Sequence, residues 1–441
     1  MRENGPFRLL FLATAGSSVG TYLAALALTV DIKQRTGSGQ WVAGLLVADF
    51  LPVIVIGLAL GPLIDRFSRR GLMIGADVAR AATFAALPFV HSPAGIVALA
   101  AVNGVATGFF RPAVWAGLPN MVVEESREHA TSLLSTVEHV AWAAGPLAAG
   151  AILSFSGPSI AYWLNAVTFV VSALLVSRIP SRLLTSGESL SRGHWRDVRD
   201  GIGLVLHSRP LLTVLLTWGT AALATAAINV SEVFLAQDEL DSGNVGLGIL
   251  VAGTGVGLVV GSFFASSLLG SLGMARVYGG ALALMGVGYA LASQAPTLAV
   301  AVVLAAIATV GNGIAIVCNQ VLVQRGAPDA MRGRSLAVLM SLYYALLGIG
   351  MVGAGVLTDA VGARAVWALA GAVYLLAGVV ALVLTRRTRE ETLARLGDVL
   401  ADDGIARMEQ LLGEVDATWD AERARPRRAL PYVHRRRPGG G

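Results

Sequence analysis

The stretch "GPLIDRFSRRG", residues 61–71, sets Asp65, Arg66, Arg69 and Arg70 between two long apolar runs. The run before it reads "WVAGLLVADFLPVIVIGLAL" and the run after it "LMIGADVARAATFAALPFV". Each run is about the 20 residues a helix needs to cross a bilayer. An acid and three arginines between two such runs make a short polar turn outside the lipid, with a helix on either side.

The same alternation extends along the whole chain. Of its 441 residues, 55% are hydrophobic and only 14% charged, against roughly 25% charged in soluble domains. Mean hydropathy is +0.68. Twelve apolar runs are expected to span, at 9–30, 41–64, 72–90, 94–118, 132–155, 158–177, 210–235, 245–270, 274–293, 296–322, 335–358 and 363–385. Several contain Gly and Pro, which membrane helices tolerate. The first run follows Arg2 and Arg8 but is longer than the 7–15 residues of a signal-peptide core, so it reads as a retained helix. Cys318 is the only cysteine, which rules out an intrachain disulfide and a CxxC site.

Arginine placement orients the helices. One set of loops carries Arg66, Arg69 and Arg70, then Arg127, the group Arg178, Arg182, Arg192, Arg196, Arg199 and Arg209, then Arg276, and finally Arg325, Arg332 and Arg334. The other side carries only Lys33, Arg35 and Arg364. Positive loops stay cytoplasmic, so both termini are expected inside. The sequence pI of 9.7 follows from basic loops facing anionic lipid, and nucleic acid is not an expected partner.

The chain also repeats. "GFFRPAVWAGLPNMVVEESREHATSLL" from 108 aligns with "GIAIVCNQVLVQRGAPDAMRGRSLAVL" from 313, an offset of 205. That offset pairs Gly108 with Gly313 and Ala149-Gly150 with Ala354-Gly355. Two six-span halves, 1–177 and 210–385, joined by a basic linker at 178–209, make a transporter layout with a binding site expected at their interface near mid-membrane. A tail follows at 386–441. Apolar positions Leu393, Leu396, Val399 and Leu400, then Ile405, Met408, Leu411 and Leu412, predict two short amphipathic helices broken at Gly404. The arginine-rich end, 423–437, is expected to be disordered.

At this point a family resemblance becomes specific. "GPLIDRFSRR" resembles the loop signature between the second and third spans of the major facilitator superfamily. "DVARA" in span 3, "GFFRPAVWAGLPNMV" in span 4, "NAVTFVVSALL" in span 6 and "RGRSLAVL" entering span 11 resemble the branch of macrolide-efflux and enterobactin-type exporters. The resemblance covers about 7–385. It implies an all-α fold of twelve membrane helices in two pseudo-repeats, secondary active efflux of a drug-like or secondary-metabolite molecule in exchange for protons, and a multi-pass protein of the bacterial cytoplasmic membrane. It further implies a conformational latch at Gly61, Asp65, Arg66, Arg69 and Arg70, which Asp77 and Arg80, one helical turn apart on span 3, can extend. "SSVGTY" departs from the branch by carrying Thr21 where an acid is often found.

Charges within spans need a reason, because each costs about 2.5–3.5 kcal/mol at mid-helix. Asp49 lies 16 residues before Asp65, roughly 24 Å along the same helix. It is a candidate for a cationic substrate, for a proton, or for structural pairing. Glu138 and His139 in span 5 can handle protons or face water. Arg111, before Pro112 in span 4, is a further proton or substrate candidate, as are Asn229 and Glu232 in the outer part of span 7, where Glu232 is alternatively a surface residue beside the acidic loop "QDELD". Asn312, Asn319 and Gln320 share one face of span 10 and line a cavity or bond neighbouring helices. Tyr343-Tyr344 stacks on a planar substrate or packs. In "AAGPLAAG", Gly145, Pro146 and Gly150 kink and pack span 5.

No Walker loop, metal-ligand cluster or nucleophile–base set is evident, so neither an enzyme nor a cofactor is expected. The expected partners are membrane lipid, a small-molecule substrate and protons, with the chain acting as a monomer. Rival readings are transport of a siderophore, lysophospholipid or nutrient, and a non-transporting sensor or scaffold.

Overall fold

The computed structural model describes residues 4–59, 67–184 and 194–402. The chain separates into two units, Met1–Thr385 and Arg386–Gly441. All elements among the described residues are helical. They are α1 (Gly5–Thr36), α2 (Gly39–Ala59), α3 (Arg69–Ala86), α4 (Pro93–Gly117), α5 (Arg127–Phe155), α6 (Pro158–Ser177), α7 (His194–His207), α8 (Arg209–Phe234), α9 (Gly243–Leu272), α10 (Met274–Ala292), α11 (Leu298–Gly326) and α12 (Asp329–Asp402), with short 3-10 turns between some of them. α8 ends in a π turn, Leu235–Glu239.

Local sequence sets the helix ends. Asn4 caps α1 by accepting from the Phe7 N–H at 3.1 Å. Ser68 and Ser92 cap α3 and α4 by accepting from Gly71 and Gly95 at 3.1 and 3.2 Å, each satisfying an N–H that the helix cannot. Pro93, Pro158 and Pro210 stand in first turns, where the missing N–H costs nothing. α12 is bent at Gly362, whose φ of 80° and ψ of 165° are non-helical and favour glycine.

Ten helices among the described residues are long and apolar enough to cross a membrane. The last of these, Met331–Thr385, carries both runs expected at 335–358 and 363–385, separated by the Gly362 bend. The run expected at 132–155 lies in α5, which is not among the ten. Its early turns hold Glu128, His129, Glu138 and His139. Many large apolar side chains point outward, among them Phe89, Phe155 and Phe263. That is unfavourable in water and expected against lipid. Of the two tail helices, the first falls within the helical backbone of α12; residues 403–441 lie outside the described residues.

The offset of 205 read from the sequence recurs in the packing. Gly108 of α4 sits on Val53 and Ile56 of α2, so close that a Cβ would lie 3.1 Å from either. Gly313 of α11 sits on Leu258 and Gly261 of α9, where a Cβ would meet the Leu258 carbonyl at 2.1 Å. Leu258 and Gly261 are positions 53 and 56 advanced by 205. An aromatic trio repeats in the same way. Phe84 packs on Tyr162 and Phe169 with ring centres 6.3 and 5.8 Å apart. Tyr289 packs on Trp367 and Tyr374 at 5.4 and 5.6 Å. Both trios are buried, and each ties the third helix of its half to the sixth.

Candidate transport site

A cavity of about 80 Å3 opens beside α1, α3, α4 and α5. Thr14, Ser17, Ser18, Thr21 and Tyr22 come from α1, Thr107, Phe110, Arg111, Val114 and Trp115 from α4. Their spacings of three, four and seven put each set on one helix face. Arg80 of α3 and Glu138 of α5 complete the wall.

Within it, Arg111 and Glu138 form an ion pair, Nη2 to Oε2 at 3.2 Å, with side chains 51% and 23% exposed. An exchangeable, part-hydrated pair of this kind is held weakly enough to be broken. Arg80 is bound more rigidly. It pairs with Asp77 one turn earlier, and its guanidinium lies between the Phe110 and Phe169 rings, 4.1 and 4.3 Å from their centres. Asp77 is 0% and Arg80 3% exposed. A fully buried pair needs its partner charge and its aromatic faces to remain ionised.

Tyr22 lies within electrostatic reach of Arg111, Glu138 and, from the other half, Tyr344 of α12. On that side Trp218 of α8 packs on Tyr343 at 4.8 Å, and Tyr343 packs edge-on against Tyr344 at 5.3 Å. The cavity wall carries charge, hydroxyls and the rings of Tyr22, Phe110 and Trp115, while the Trp218–Tyr343–Tyr344 rings cluster in the other half.

Other sequence candidates fall elsewhere. Asp49 is half-buried and accepts from the Asn103 amide at 2.7 Å, between α2 and α4 rather than among the cavity-lining residues. His139 is exposed and bonds the Ser135 carbonyl at 2.7 Å, so it does not join Glu138; adjacent helical residues point about 100° apart. Asn319 is buried and accepts from Tyr278 at 2.5 Å, while the Tyr278 hydroxyl meets Thr217 at 2.5 Å. It ties α11 to α10 and α8. Asn229 and Asn312 are half-buried, and so is Glu232, which lies within electrostatic reach of Tyr289. Arg69 donates to the Ala116 carbonyl at 2.9 Å and Arg70 to the Ser177 carbonyl, both within the first half. Gly61, Asp65 and Arg66 lie outside the described residues.

The two halves meet at the arginine-poor end. Lys33 at the end of α1 pairs with Asp238 in the π turn after α8. The Asp359 carboxylate of α12 accepts from the Gly39 N–H at 2.5 Å, the Ser38 hydroxyl at 2.8 Å and the Gln40 N–H at 3.3 Å. The Asn244 amide of α9 donates to the Leu153 carbonyl of α5 at 3.0 Å. Gly145 fits against Tyr22 and Leu23 of α1, and Gly150 against Asn244, Val245 and Gly248 of α9; Gly248 in turn meets the Pro146 carbonyl. The Gly-Pro element thus packs α5 between the halves. Gly355 of α12 likewise sits on Gly39, Gln40 and Ala43 of α2. Here too the two interfaces correspond position by position at an offset of 205.

Sequence reasoning missed Tyr22, Trp115, Lys33, Asp238 and Asp359. The recurrence of hydroxyls at 14, 17, 18 and 21 was an available signal for the α1 wall.

Comparison with known proteins bears on this arrangement. A profile described as Major Facilitator Superfamily matches residues 10–345 and 219–419. The chain is 28% identical over 406 residues to the multidrug efflux pump Tap of Mycolicibacterium fortuitum, covering 87% of this chain and 97% of that one. It is 24% identical over 274 residues to macrolide efflux protein A of Streptococcus pyogenes, covering 60% and 66%. Among solved structures it is similar to a bacterial homologue of the lysosomal transporter Spinster in an inward-facing, unoccupied conformation, with TM-score 0.70, 14% identity and 87% and 98% covered. A POT family transporter in complex with a thioalcohol-conjugated peptide matches with TM-score 0.71, 10% identity and 86% and 96% covered.

Proposed function

The chain belongs to the Major Facilitator Superfamily, and from that premise we propose that it is a proton-coupled exporter of amphipathic, drug-like molecules working by alternating access. The observation that carries this is the similarity to multidrug efflux pump Tap along 87% of the chain. The chemistry of the cavity lining suits such a cargo. Hydroxyls of α1 offer hydrogen bonds, and Tyr22, Phe110 and Trp115 offer flat apolar area.

The arginine-rich loops face the cytoplasm in this reading, in a bacterial inner membrane, and one copy suffices. Glu138 is the proton carrier. When Glu138 is ionised it holds Arg111; when it takes a proton the pair parts, and Arg111 is released into the cavity. A proton on Glu138 removes the negative charge a cationic cargo would pair with and leaves Arg111 positive beside it, so cargo and proton compete for one carboxylate, which is what exchange requires. Asp65 and its neighbours close the cytoplasmic side in the alternate state.

The test is uptake of fluorescent amphiphiles, siderophores and lysolipids into inverted vesicles energised by a pH gradient. Gradient-driven uptake of amphiphiles, lost in Glu138→Gln and in Asp65→Asn, is the expected result. Uptake of siderophores or lysolipids alone replaces the drug-pump reading with a narrow-cargo exporter. Uptake that survives gradient collapse removes proton coupling.

A further inference from the structure

We propose that Asp359 and the first turn of α2 form a lock that holds the arginine-poor end shut, and that this lock must break for that end to open. The proposal rests on the alternating-access reading above but not on the cargo or the proton.

The first turn of α2 begins at Gly39, and the opening N–H groups of a helix have no partner within it. Ser38, just ahead, satisfies one of them by accepting from Gln40 at 3.2 Å. The Asp359 carboxylate accepts from Gly39, from Gln40 and from the Ser38 hydroxyl. It therefore caps a helix of the other half, 320 residues away. An anion at a helix N-terminus is favoured by the helix dipole as well as by the hydrogen bonds.

The backbone contact beneath makes the reach possible. A Cβ on Gly39 would lie 2.8 Å from the Gly355 carbonyl, and one on Gly355 would lie 2.7 Å from the Gly39 carbonyl. One turn beyond Gly355, the Asp359 side chain falls directly over the start of α2. Two glycines let the helices touch, and the acid closes over the contact.

The pseudo-equivalent interface, α5 with α9, lacks this acid. Ser154 stands at the position matching Asp359, and its hydroxyl turns back to the Ala151 carbonyl of its own helix at 2.6 Å. Among the described residues, the side-chain hydrogen bond that crosses there comes from a neutral amide, Asn244, to the Leu153 carbonyl. The charged lock is thus built on one side of the molecule and a neutral tie on the other.

The lock suits repeated opening. Ser38 and Gln40 are exposed or partly so, and water can take over both the carboxylate and the N–H groups when the halves part. The expected contribution is accordingly modest, about a two- to fivefold bias toward the closed end.

The test reads conformation rather than transport. In a Cys318→Ser background, spin labels are placed through Ala94→Cys and Ala299→Cys, exposed alanines in the first turns of α4 and α11 that belong to opposite halves. Double electron–electron resonance is recorded on the full chain in nanodiscs, without cargo or gradient. Asp359→Ala is expected to raise the ratio of long-distance to short-distance populations about two- to fivefold, with Ser38→Ala giving a smaller shift in the same direction. Unchanged distributions in a folded Asp359→Ala protein, checked by its melting temperature, overturn the lock. If that variant does not fold, Asp359→Asn and Ser38→Ala decide: no shift in either overturns it equally. Because neither substrate nor protons enter the measurement, its failure leaves the export reading intact, and failure of the vesicle assay leaves the lock intact.

Discussion

The two halves of the molecule share one scaffold and differ in what they put on it. Asp77 and Arg80 in the first half correspond, at the offset of 205, to Leu282 and Met285, each 3% exposed. Arg111 corresponds to Ile316, Glu138 to Tyr343, Asp49 to Thr254 and Asn103 to Ala308. At each of these positions the first half is charged or more polar, and the second is apolar, aromatic or merely hydroxylated. The matched Gly108 and Gly313 contacts and the matched aromatic trios indicate that packing does not require the charges. Buried ion pairs seldom outdo apolar side chains of like volume, so a fold kept for stability alone would resemble the second half throughout. At these matched positions the charges lie on α2, α3, α4 and α5, and their hydroxylated, apolar or aromatic counterparts on α9, α10, α11 and α12.

This division can be broken experimentally. The largest effect is expected from Arg80→Met, which installs the second half's residue but leaves Asp77 buried without its partner. A loss of about 3–5 kcal/mol is expected, read as a lower melting temperature in detergent. Adding Asp77→Leu should restore most of it, since the pair Leu282–Met285 packs at the matching place. If the double variant stays as unstable as the single one, the halves are not interchangeable there and the comparison fails.

Next comes Glu138→Gln, expected to lower gradient-driven transport roughly tenfold or more while leaving the melting temperature within about 0.5 kcal/mol-equivalent of the parent, as for substitutions away from the core. Vesicle uptake at two pH gradients measures it. Gly313→Ala should cost about 1–3 kcal/mol, because its Cβ meets a backbone carbonyl at 2.1 Å, and Gly108→Ala less, because its nearest contacts are at 3.1 Å. Unfolding both variants in parallel ranks them, and a reversed order would mean the two glycine contacts are not equivalent. The smallest change is expected from Tyr343→Phe, which keeps the ring against Trp218 and should alter transport by less than about twofold.

What the sequence disclosed follows the same physics. The repeat was legible from Gly108 and Gly313 because only glycine admits backbone that close, so the positions are fixed in both halves even where little else matches. Asp77 and Arg80 were legible as one turn of one helix. The Arg111–Glu138 pair was not legible as a pair, since its members lie on different helices and spacing along the chain carries no information about which faces meet. Asn319 read as a cavity candidate and instead bonds Tyr278; a polar side chain in a span looks the same whether it faces water or a neighbour. Asp359 went unnoticed because an acid at the end of a span is indistinguishable, by type, from a solvated loop residue. What marks it is Gly355 four residues earlier and Gly39 across the interface, a relation that exists only in three dimensions.

Lys33 and Asp238 are themselves partners under the offset of 205, and they touch. Residues that are both equivalent and in contact straddle the axis relating the halves. In an assembly of two identical six-helix chains, a residue at that place would meet its own copy, lysine against lysine or aspartate against aspartate, and like charges repel. Opposite charges are possible there only because the two halves differ in sequence, and the ion pair gives each half a reason to prefer the other over a second copy of itself.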